Sequence, residues 1–201
     1  MSWIRNDLVS LKLRDGLFTI AQMLASPVMQ FYGMSNSDGD WNGVDLNLTD
    51  PLFRVFVGKV VVKKMAEEKL DKKIAIPRVD CGNYKFIKPY TLGMDGDHYK
   101  GGRNSFPFLG GKLIDLGPDG DIGVTLAPVL RDDLALPDDR EIIERYELTN
   151  MWGDEDLTDR LIRYFETGIN RDDLKFEVFP GLWDDRESLR PLTRRLPVPR
   201  R

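Results

Sequence analysis

The sequence contains a single cysteine and a single histidine among its 201 residues. One cysteine, Cys81, excludes an internal disulfide and fits a reducing compartment. Zinc sites take three or four His, Cys or carboxylate ligands, and neither C-x-x-C nor H-x-x-x-H spacing occurs here. Nothing around Cys81 and His98 supports a nucleophile–base pair. We therefore predict a buried cysteine, a histidine in a loop, and no metal or other cofactor.

Long apolar runs and phosphate-binding loops are also missing. No stretch of eighteen or more apolar residues is present, and residues 1–15 lack the apolar core and cleavage site of a secretory signal. The segment LGGKL, residues 109–113, lacks the spacing of a P-loop, and no G-x-G-x-x-G follows a strand. These absences predict a cytoplasmic protein that does not contact a membrane.

The net charge of −4 hides a strong segregation of charge along the chain. Residues 131–159 carry eleven acids and three bases, a net of −8, whereas residues 59–78 are net +4 and residues 182–201 net +3. A strongly negative sector steers a basic protein partner and gives no reason to expect nucleic-acid binding. We predict that a partner binds through the acids of this sector: Asp132, Asp133, Asp138, Asp139, Glu141, Glu144, Asp154, Glu155 and Asp156.

Strand patterns dominate the first third of the chain. Residues 8–24 alternate apolar and polar positions around Asp15-Gly16, which predicts a hairpin, and residues 28–34 predict a third strand. Residues 52–62, LFRVFVGKVVV, are dense in β-branched and aromatic residues and predict one long strand. Residues 63–73 predict one or two helical turns.

Later in the chain, one helix and one strand are predicted. In residues 154–167, Leu157, Leu161 and Phe165 stand four apart, the spacing of a helix with one buried face, and Gly168 follows as its C-terminal cap. Residues 174–179, LKFEVF, predict a strand. We therefore expect an α+β fold, mainly antiparallel β-sheet with one principal C-terminal amphipathic helix. Residues 1–181 form one domain, and the Arg/Pro-rich residues 182–201 a docked or disordered tail.

The acids at the start of this helix have a structural explanation as well as a functional one. Asp154 is placed to be the N-cap, and Glu155 and Asp156 then lie in the first turn, where negative charge favours the helix dipole. Neighbouring residues of a first turn point in different directions, which disfavours a metal site. Capping and partner binding are compatible, because a capped helix start still presents its acids to solvent.

An Asp/Gly-rich loop matches part of a calcium-binding motif. Asp38, Asp40, Asn42 and Gly43 fit the first six positions of D-x-D-x-N-G, but Thr49 stands where the bidentate glutamate belongs. A tight turn is the preferred interpretation. Asp-Gly-Asp also occurs at residues 95–97 and 119–121. A metal-dependent phosphoester hydrolase using these loops is the alternative function that this pattern leaves open.

The order of these features resembles that of the immunity protein 26 family of bacterial polymorphic-toxin systems. The match rests on an early strand with a G-x-F-x-I pattern, an aromatic strand, an LF-x-V-x-V strand, and a late tryptophan, acidic helix start and glycine. It covers about residues 8–62 and 145–178 and is carried by Gly16, Phe18, Ile20, Phe31, Tyr32, Phe53, Val55, Val57, Trp152, Arg160, Leu161, Phe165 and Gly168.

This resemblance implies a non-enzymatic cytoplasmic protein that binds and blocks a cognate toxin domain. It implies no catalytic residues. The shared positions are core and helix-packing residues, so they carry the fold and not an activity. A general scaffold or adaptor protein is a third interpretation.

Overall fold

An antiparallel hairpin begins the fold. In the computed structural model, which describes residues 1–90 and 110–184, β1 (Leu8–Arg14) pairs with β2 (Leu17–Met23). Gly16 lies in the turn with φ +69°, a backbone conformation that glycine adopts without steric cost. β3 (Val28–Asn36) pairs antiparallel with β2. The predicted hairpin and third strand are confirmed.

The chain groups into two compact units, each made of two segments. The first unit comprises Met1–Asn83 and Asn150–Asn170, and the second comprises Tyr84–Thr149 and Arg171–Arg201. Each unit therefore combines an earlier segment with a later one that is distant from it in the sequence. Local sequence patterns carry no signal for such a return, and the sequence analysis, which predicted one domain over residues 1–181, did not anticipate the grouping.

A six-stranded sheet forms the centre of the first unit. The later strands are β4 (Val44–Asp45), β5 (Pro51–Val57), β6 (Ala66–Leu70) and β7 (Ala75–Ile76), and a single 3-10 turn spans Leu46–Leu48. The sheet has the order β11-β5-β3-β2-β1-β6, in which β11 (Met151–Trp152) pairs parallel with β5. β4 and β7 form a separate parallel pair.

Both faces of this sheet are covered. One face carries a cluster that includes Val9, Met29 and Val55, against which Leu157 and Leu161 pack. Another cluster contains Ile20, Tyr32 and Trp41 with four further buried side chains of the first unit. Alternating residues of β2 and β3 thus enter different clusters, as the period of two in a strand requires.

Two segments of the first unit differ from their predicted structures. Residues 52–62 are not one strand, because β5 ends at Val57 and α1 (Lys59–Lys64) begins after Gly58. Residues 63–73 are not mainly helical, because Ala66–Leu70 forms β6 and pairs antiparallel with β1. Hydrogen bonding to an available sheet edge outweighs the helical propensity of Glu67, Glu68 and Lys69.

The longest helix in the described residues is α3 (Asp154–Thr167). Leu157 and Leu161 are fully buried, and Phe165 packs against the same cluster. Gly168 ends the helix with φ +75°, and its N–H donates to the carbonyl of Tyr164 at 2.8 Å. The predicted C-terminal cap is confirmed.

The second unit contains a three-stranded antiparallel sheet with the order β10-β9-β8. Its strands are β8 (Lys85–Pro89), β9 (Gly111–Asp115) and β10 (Val129–Leu134), and its helices are α2 (Arg140–Arg145) and α4 (Leu174–Val178). Residues 174–179 were predicted as a strand, which is wrong. Leu182 and Trp183, assigned to the tail by composition, pack in the core cluster of this unit.

The described residues together form a mixed α+β structure with mostly antiparallel sheets and few helices. Four α-helices occur in these residues, three of them with six residues or fewer. Short helices of this kind depend on tertiary packing, because isolated helices below about 12 residues are marginal in water. That dependence explains why α1, α2 and α4 were not predicted from the sequence.

Candidate partner-binding surface

The nine acids predicted to bind a partner are divided between the two units. Asp132 and Asp133 lie on β10 of the second unit, and Asp138, Asp139, Glu141 and Glu144 lie on or just before α2. Asp154, Glu155 and Asp156 form the first turn of α3 in the first unit. The single acidic sector of the sequence therefore contributes one set of carboxylates to each unit.

Asp132 and Asp133 are exposed and converge on one tyrosine. The Tyr90 hydroxyl donates to the Asp132 carboxylate and lies 2.8 Å from Asp133 Oδ1, while the backbone N–H of Asp133 donates back to that hydroxyl at 3.0 Å. The hydrogen bond from Tyr90 lowers the pKa of Asp132. Both carboxylates thus remain at the surface, held in place at the end of an edge strand.

Asp139 is the exception among the acids of the second unit, because it is only 6% exposed. Its carboxylate accepts a hydrogen bond from Arg131 Nε at 3.1 Å and another from the backbone N–H of Ala135 at 3.0 Å. These contacts tie the end of β10 to the turn before α2. Asp139 therefore stabilises the fold, and both donors to its carboxylate lie in the second unit.

The remaining acids of the second unit are exposed. Glu144 pairs with Arg140 at 3.1 Å, an i,i+4 contact along α2. Asp138 and Glu141 are also exposed, and no ion pair to either one is present within the described residues. We define the β10–α2 acidic surface by the exposed acids of residues 132–144: Asp132, Asp133, Asp138, Glu141 and Glu144.

Three large apolar side chains lie exposed just before this surface in the sequence. Leu126 is 82% exposed, and Val129 and Leu130 of β10 are 45% and 49% exposed. Sequence reasoning did not select them, because an apolar residue on a short strand has the same pattern whether a core covers it or not. Val129 and Leu130 lie on β10, an edge strand of its sheet, and Leu126 lies in the turn before that strand.

The acids at the start of α3 have different surroundings. Gly153 is the N-cap, so the prediction that Asp154 is the N-cap is wrong by one residue. Asp154 instead pairs with Lys64 of α1, with 2.8 Å between Nζ and Oδ2. Glu155 is exposed and Asp156 half-buried. All three remain in the first turn, where negative charge favours the helix dipole.

The pair of Lys64 and Asp154 should make stability depend on pH. The hydrogen bond from Lys64 lowers the pKa of Asp154 from 3.8 in the folded state. The contribution of this pair to the free energy of unfolding is therefore complete above pH 3.8. It is lost as pH falls through the lower pKa that Asp154 has in the folded state. We expect Asp154→Asn to lower the free energy of unfolding slightly at pH 7, because Lys64 is 58% exposed, and to lower it less at pH 2.

Urea unfolding at both pH values measures this difference. Asp50→Asn, which removes an exposed acid elsewhere in the first unit, is the matched control and should behave like the unaltered protein at both. An equal loss of stability at pH 7 and pH 2 would contradict the ion-pair explanation.

The Asp-Gly loops form turns where the structure describes them. Asp38 Oδ1 accepts the N–H of Asp40 at 3.0 Å, and Asp40 Oδ1 accepts the N–H of Asn42 at 3.0 Å. At residues 119–121, the N–H of Gly120 donates to the carbonyl of Gly117 at 3.1 Å. Within residues 1–90 and 110–184, no group of three His, Cys, Asp or Glu is arranged to hold a metal ion. The predicted turn at Asp38 is confirmed.

Two further predictions concern the lone cysteine and histidine. Cys81 is exposed, so the prediction that it is buried is wrong; its Sγ lies 3.5 Å from the carbonyl of Val79. Composition alone does not determine the exposure of a cysteine in a loop. His98 and the Asp-Gly-Asp of residues 95–97 lie outside the described residues.

Comparisons with known proteins identify a family but no characterised relative. In the part of the chain that the structure describes, no helix combines the length and apolarity needed to cross a bilayer. No curated protein and no solved structure matches the sequence significantly. A family described as a domain of unknown function, DUF8309, matches residues 1–184. That match includes segments of both compact units, and the chain belongs to the DUF8309 family.

Proposed function

We propose that this protein is a cytoplasmic immunity protein that neutralises a cognate bacterial toxin domain by binding it stoichiometrically, without catalysis. The resemblance to the immunity protein 26 family supports the proposal, and the mixed α+β structure with mostly antiparallel sheets agrees with it at the level of the fold. The partner is a protein, and neither nucleic acid nor a membrane takes part.

The β10–α2 acidic surface is the single observation that carries the proposal. Its five acids are all exposed, whereas Asp139, which belongs to the same stretch, is buried and paired. Asp138 and Glu141 have no ion pair within the described residues, and Asp132, Asp133 and Glu144 stay exposed although each contacts one side chain of its own unit. This stretch therefore presents more negative charge than its internal contacts neutralise. Surplus charge of one sign is typical of surfaces that attract an oppositely charged partner.

Exposed apolar residues lie close in sequence to these acids and could provide affinity for a partner. Charge complementarity speeds association and selects partners, but affinity comes mainly from a few apolar anchors that are desolvated on binding. Leu126, in the turn before β10, and Val129 and Leu130, on β10, supply such anchors. The proposed contact therefore combines an apolar centre with an acidic margin, and it fits a basic cleft of the toxin.

Neutralising the acidic surface should slow association with the toxin and leave the fold intact. The variant carries Asp132→Asn, Asp133→Asn, Asp138→Asn, Glu141→Gln and Glu144→Gln. At low salt we expect its association rate constant to fall about tenfold or more, because electrostatic steering raises such rates by roughly 10–1,000-fold. Stopped-flow measurements at several salt concentrations test this, and the difference should shrink as salt rises.

A variant with the same change of charge elsewhere is the control. It neutralises five exposed acids outside the proposed surface: Asp50, Glu67, Glu68, Asp121 and Asp184. If both variants slow association equally, net charge is responsible and the β10–α2 acidic surface is not the contact. Thermal unfolding of the control variant should match that of the unaltered protein, and the surface variant should be only slightly less stable, because the contacts that Tyr90 and Arg140 lose are exposed.

The immunity function itself is tested by co-expression. Immunity proteins are typically encoded beside their toxins, so the product of the gene immediately upstream is the first partner to examine. We expect the two proteins to co-purify as a stable complex and this protein to rescue cells from the toxicity of its neighbour. Failure of both rescue and co-purification would contradict the proposal, and metal analysis of the purified protein would then test the hydrolase alternative.

A further inference from the structure

The first unit contains a pocket that the proposed function does not use. Its volume is about 540 Å³, within the range of about 300–1,000 Å³ that small-molecule sites occupy. Apolar side chains make up most of its lining, from the N-terminal segment, the turn before β3, the end of β5, α1 and β6: Met1, Trp3, Pro27, Val57, Val62 and Ala66.

This lining continues into the core of the first unit. Val57 and Val62 are buried members of the main cluster, and Trp3 and Ala66 pack against it. The Trp3 indole is fixed in place, because its Nε1 donates to the carbonyl of Leu24 at 3.0 Å. A pocket whose walls are held by the core is preformed, so a ligand would not have to order it on binding.

The polar groups around the pocket are mainly cationic. Lys59 and Lys63 line it, and since they stand four residues apart they project from the same face of α1. The next lysine, Lys64, is paired with Asp154, whereas within the described residues no ion pair involves Lys59 or Lys63. Glu67 is the one acid in the lining, so the pocket has a net positive charge.

We propose that this pocket binds a small amphipathic carboxylate, with the apolar body against Trp3 and Val62 and the carboxylate between Lys59 and Lys63. The apolar lining provides the free energy of burial. The two ammonium groups provide the preference for an anion, and the Ser26 hydroxyl of the lining offers a neutral donor. This site belongs to the first unit and is independent of the proposed toxin contact on the second.

Decanoate and decylammonium provide a direct test, because they share an apolar chain and differ in charge. Each is titrated into the full-length protein at millimolar concentration, below its micelle-forming range, and followed by two-dimensional NMR. We expect decanoate to shift the Trp3 indole resonance in a saturable way and to leave that of Trp183, in the second unit, unchanged. Decylammonium should produce much weaker shifts.

Substitution of the two lysines tests the assigned role of the pocket. The variant Lys59→Ala/Lys63→Ala should bind decanoate about tenfold more weakly, since each partly exposed ion pair contributes a few-fold. The matched control is Lys72→Ala/Lys73→Ala, which removes the same charge from exposed positions outside the pocket and should bind as the unaltered protein does.

Three results would overturn the assignment. One is an absence of saturable shifts at Trp3, a second is equal binding of decanoate and decylammonium, and the third is unchanged affinity in the Lys59/Lys63 variant. None of these results bears on co-purification with a toxin, so failure here is distinguishable from failure of the immunity proposal. Both lysines are exposed, so their loss should not unfold the protein.

Discussion

Replacement of Arg160 by alanine should destabilise the first unit by about 3–5 kcal/mol, as measured by urea unfolding of the full-length protein. Arg160 lies on α3, between Leu157 and Leu161 of the predicted buried face, and it is only 2% exposed. The apolar stripe of that helix drew attention to its leucines. The resemblance included Arg160 among core and helix-packing positions, but the apolar pattern of the helix did not predict its burial, because arginines are almost never fully buried.

The surroundings of Arg160 explain the expected loss. Its guanidinium carbon lies 3.9 Å from the centre of the Phe53 ring and 5.1 Å from that of Trp152, close enough for cation–π contacts. Its Nε and Nη2 both donate to Asn170 Oδ1, at 2.9 and 2.7 Å. Asn170 in turn donates to the carbonyl of Leu52 at 3.2 Å. Alanine would leave a cavity beside two rings and would remove both donors from the half-buried amide oxygen of Asn170.

Two further variants isolate the cause. Arg160→Lys keeps the charge but lacks the planar fork, so it should fall between the unaltered protein and Arg160→Ala. Arg145→Ala removes an exposed arginine that lies 5.5 Å from the Tyr146 ring, and it should cost less than about 0.5 kcal/mol. A loss below about 1 kcal/mol for Arg160→Ala would mean that the surroundings rearrange to replace these contacts.

Replacement of Gly120 by alanine should destabilise the second unit by about 2–5 kcal/mol, the sum of a backbone cost and a steric cost. Gly120 has φ +68°, which an alanine adopts only with strain. An added Cβ would lie 2.5 Å from Cδ1 and 2.6 Å from Cε1 of Tyr84. Tyr84 is fully buried, so its ring has no free space into which to move.

Gly181→Ala separates the two costs, because Gly181 has φ +87° but a Cβ added there would meet no atom within 4 Å. It should therefore show the backbone cost alone. In a Tyr84→Ala background, Gly120→Ala should likewise lose its steric part, which a double-mutant cycle measures. Equal losses for Gly120→Ala and Gly181→Ala would contradict a clash with the Tyr84 ring.

These variants also test whether the two units unfold together. A single transition that shifts with both Arg160→Ala and Gly120→Ala indicates one cooperative unit, in keeping with the predicted single domain over residues 1–181. Two transitions, each sensitive to one variant, indicate that the two compact units unfold independently. Neither substitution alters an acid of the β10–α2 acidic surface, so stability and toxin binding can be measured separately.

Local sequence patterns predicted the elements whose structure depends on their own residues. The Asp15-Gly16 turn between two alternating runs determined the first hairpin, because turn geometry and strand period act over a few residues. Gly168 similarly determined the end of α3, since few residues other than glycine take the required positive φ. The Asp38–Asn42 turn also forms from neighbouring carboxylate and N–H groups.

Other elements depended on partners distant in sequence. Residues 66–70 form a strand because the edge of β1 is there to pair with, and residues 174–178 form a helix although their apolar pattern fits a strand. Residues 52–62 were predicted as one strand, yet the chain turns into a helix after Gly58 and buries Val61 and Val62 in the core. Propensity differences of less than about 1 kcal/mol per residue do not decide such cases against tertiary packing.

For the candidate sites too, some features follow from the sequence and others from the tertiary structure. The sequence by itself determined the segregation of charge, because acids and bases can be counted without knowing where they lie. Only the tertiary structure decided that Asp139 is buried while its neighbours are exposed, that Leu126, Val129 and Leu130 lie in solvent, and that Lys59 and Lys63 line an apolar pocket. Charge is a property of each residue, whereas burial and concavity belong to the packing of segments far apart in the chain.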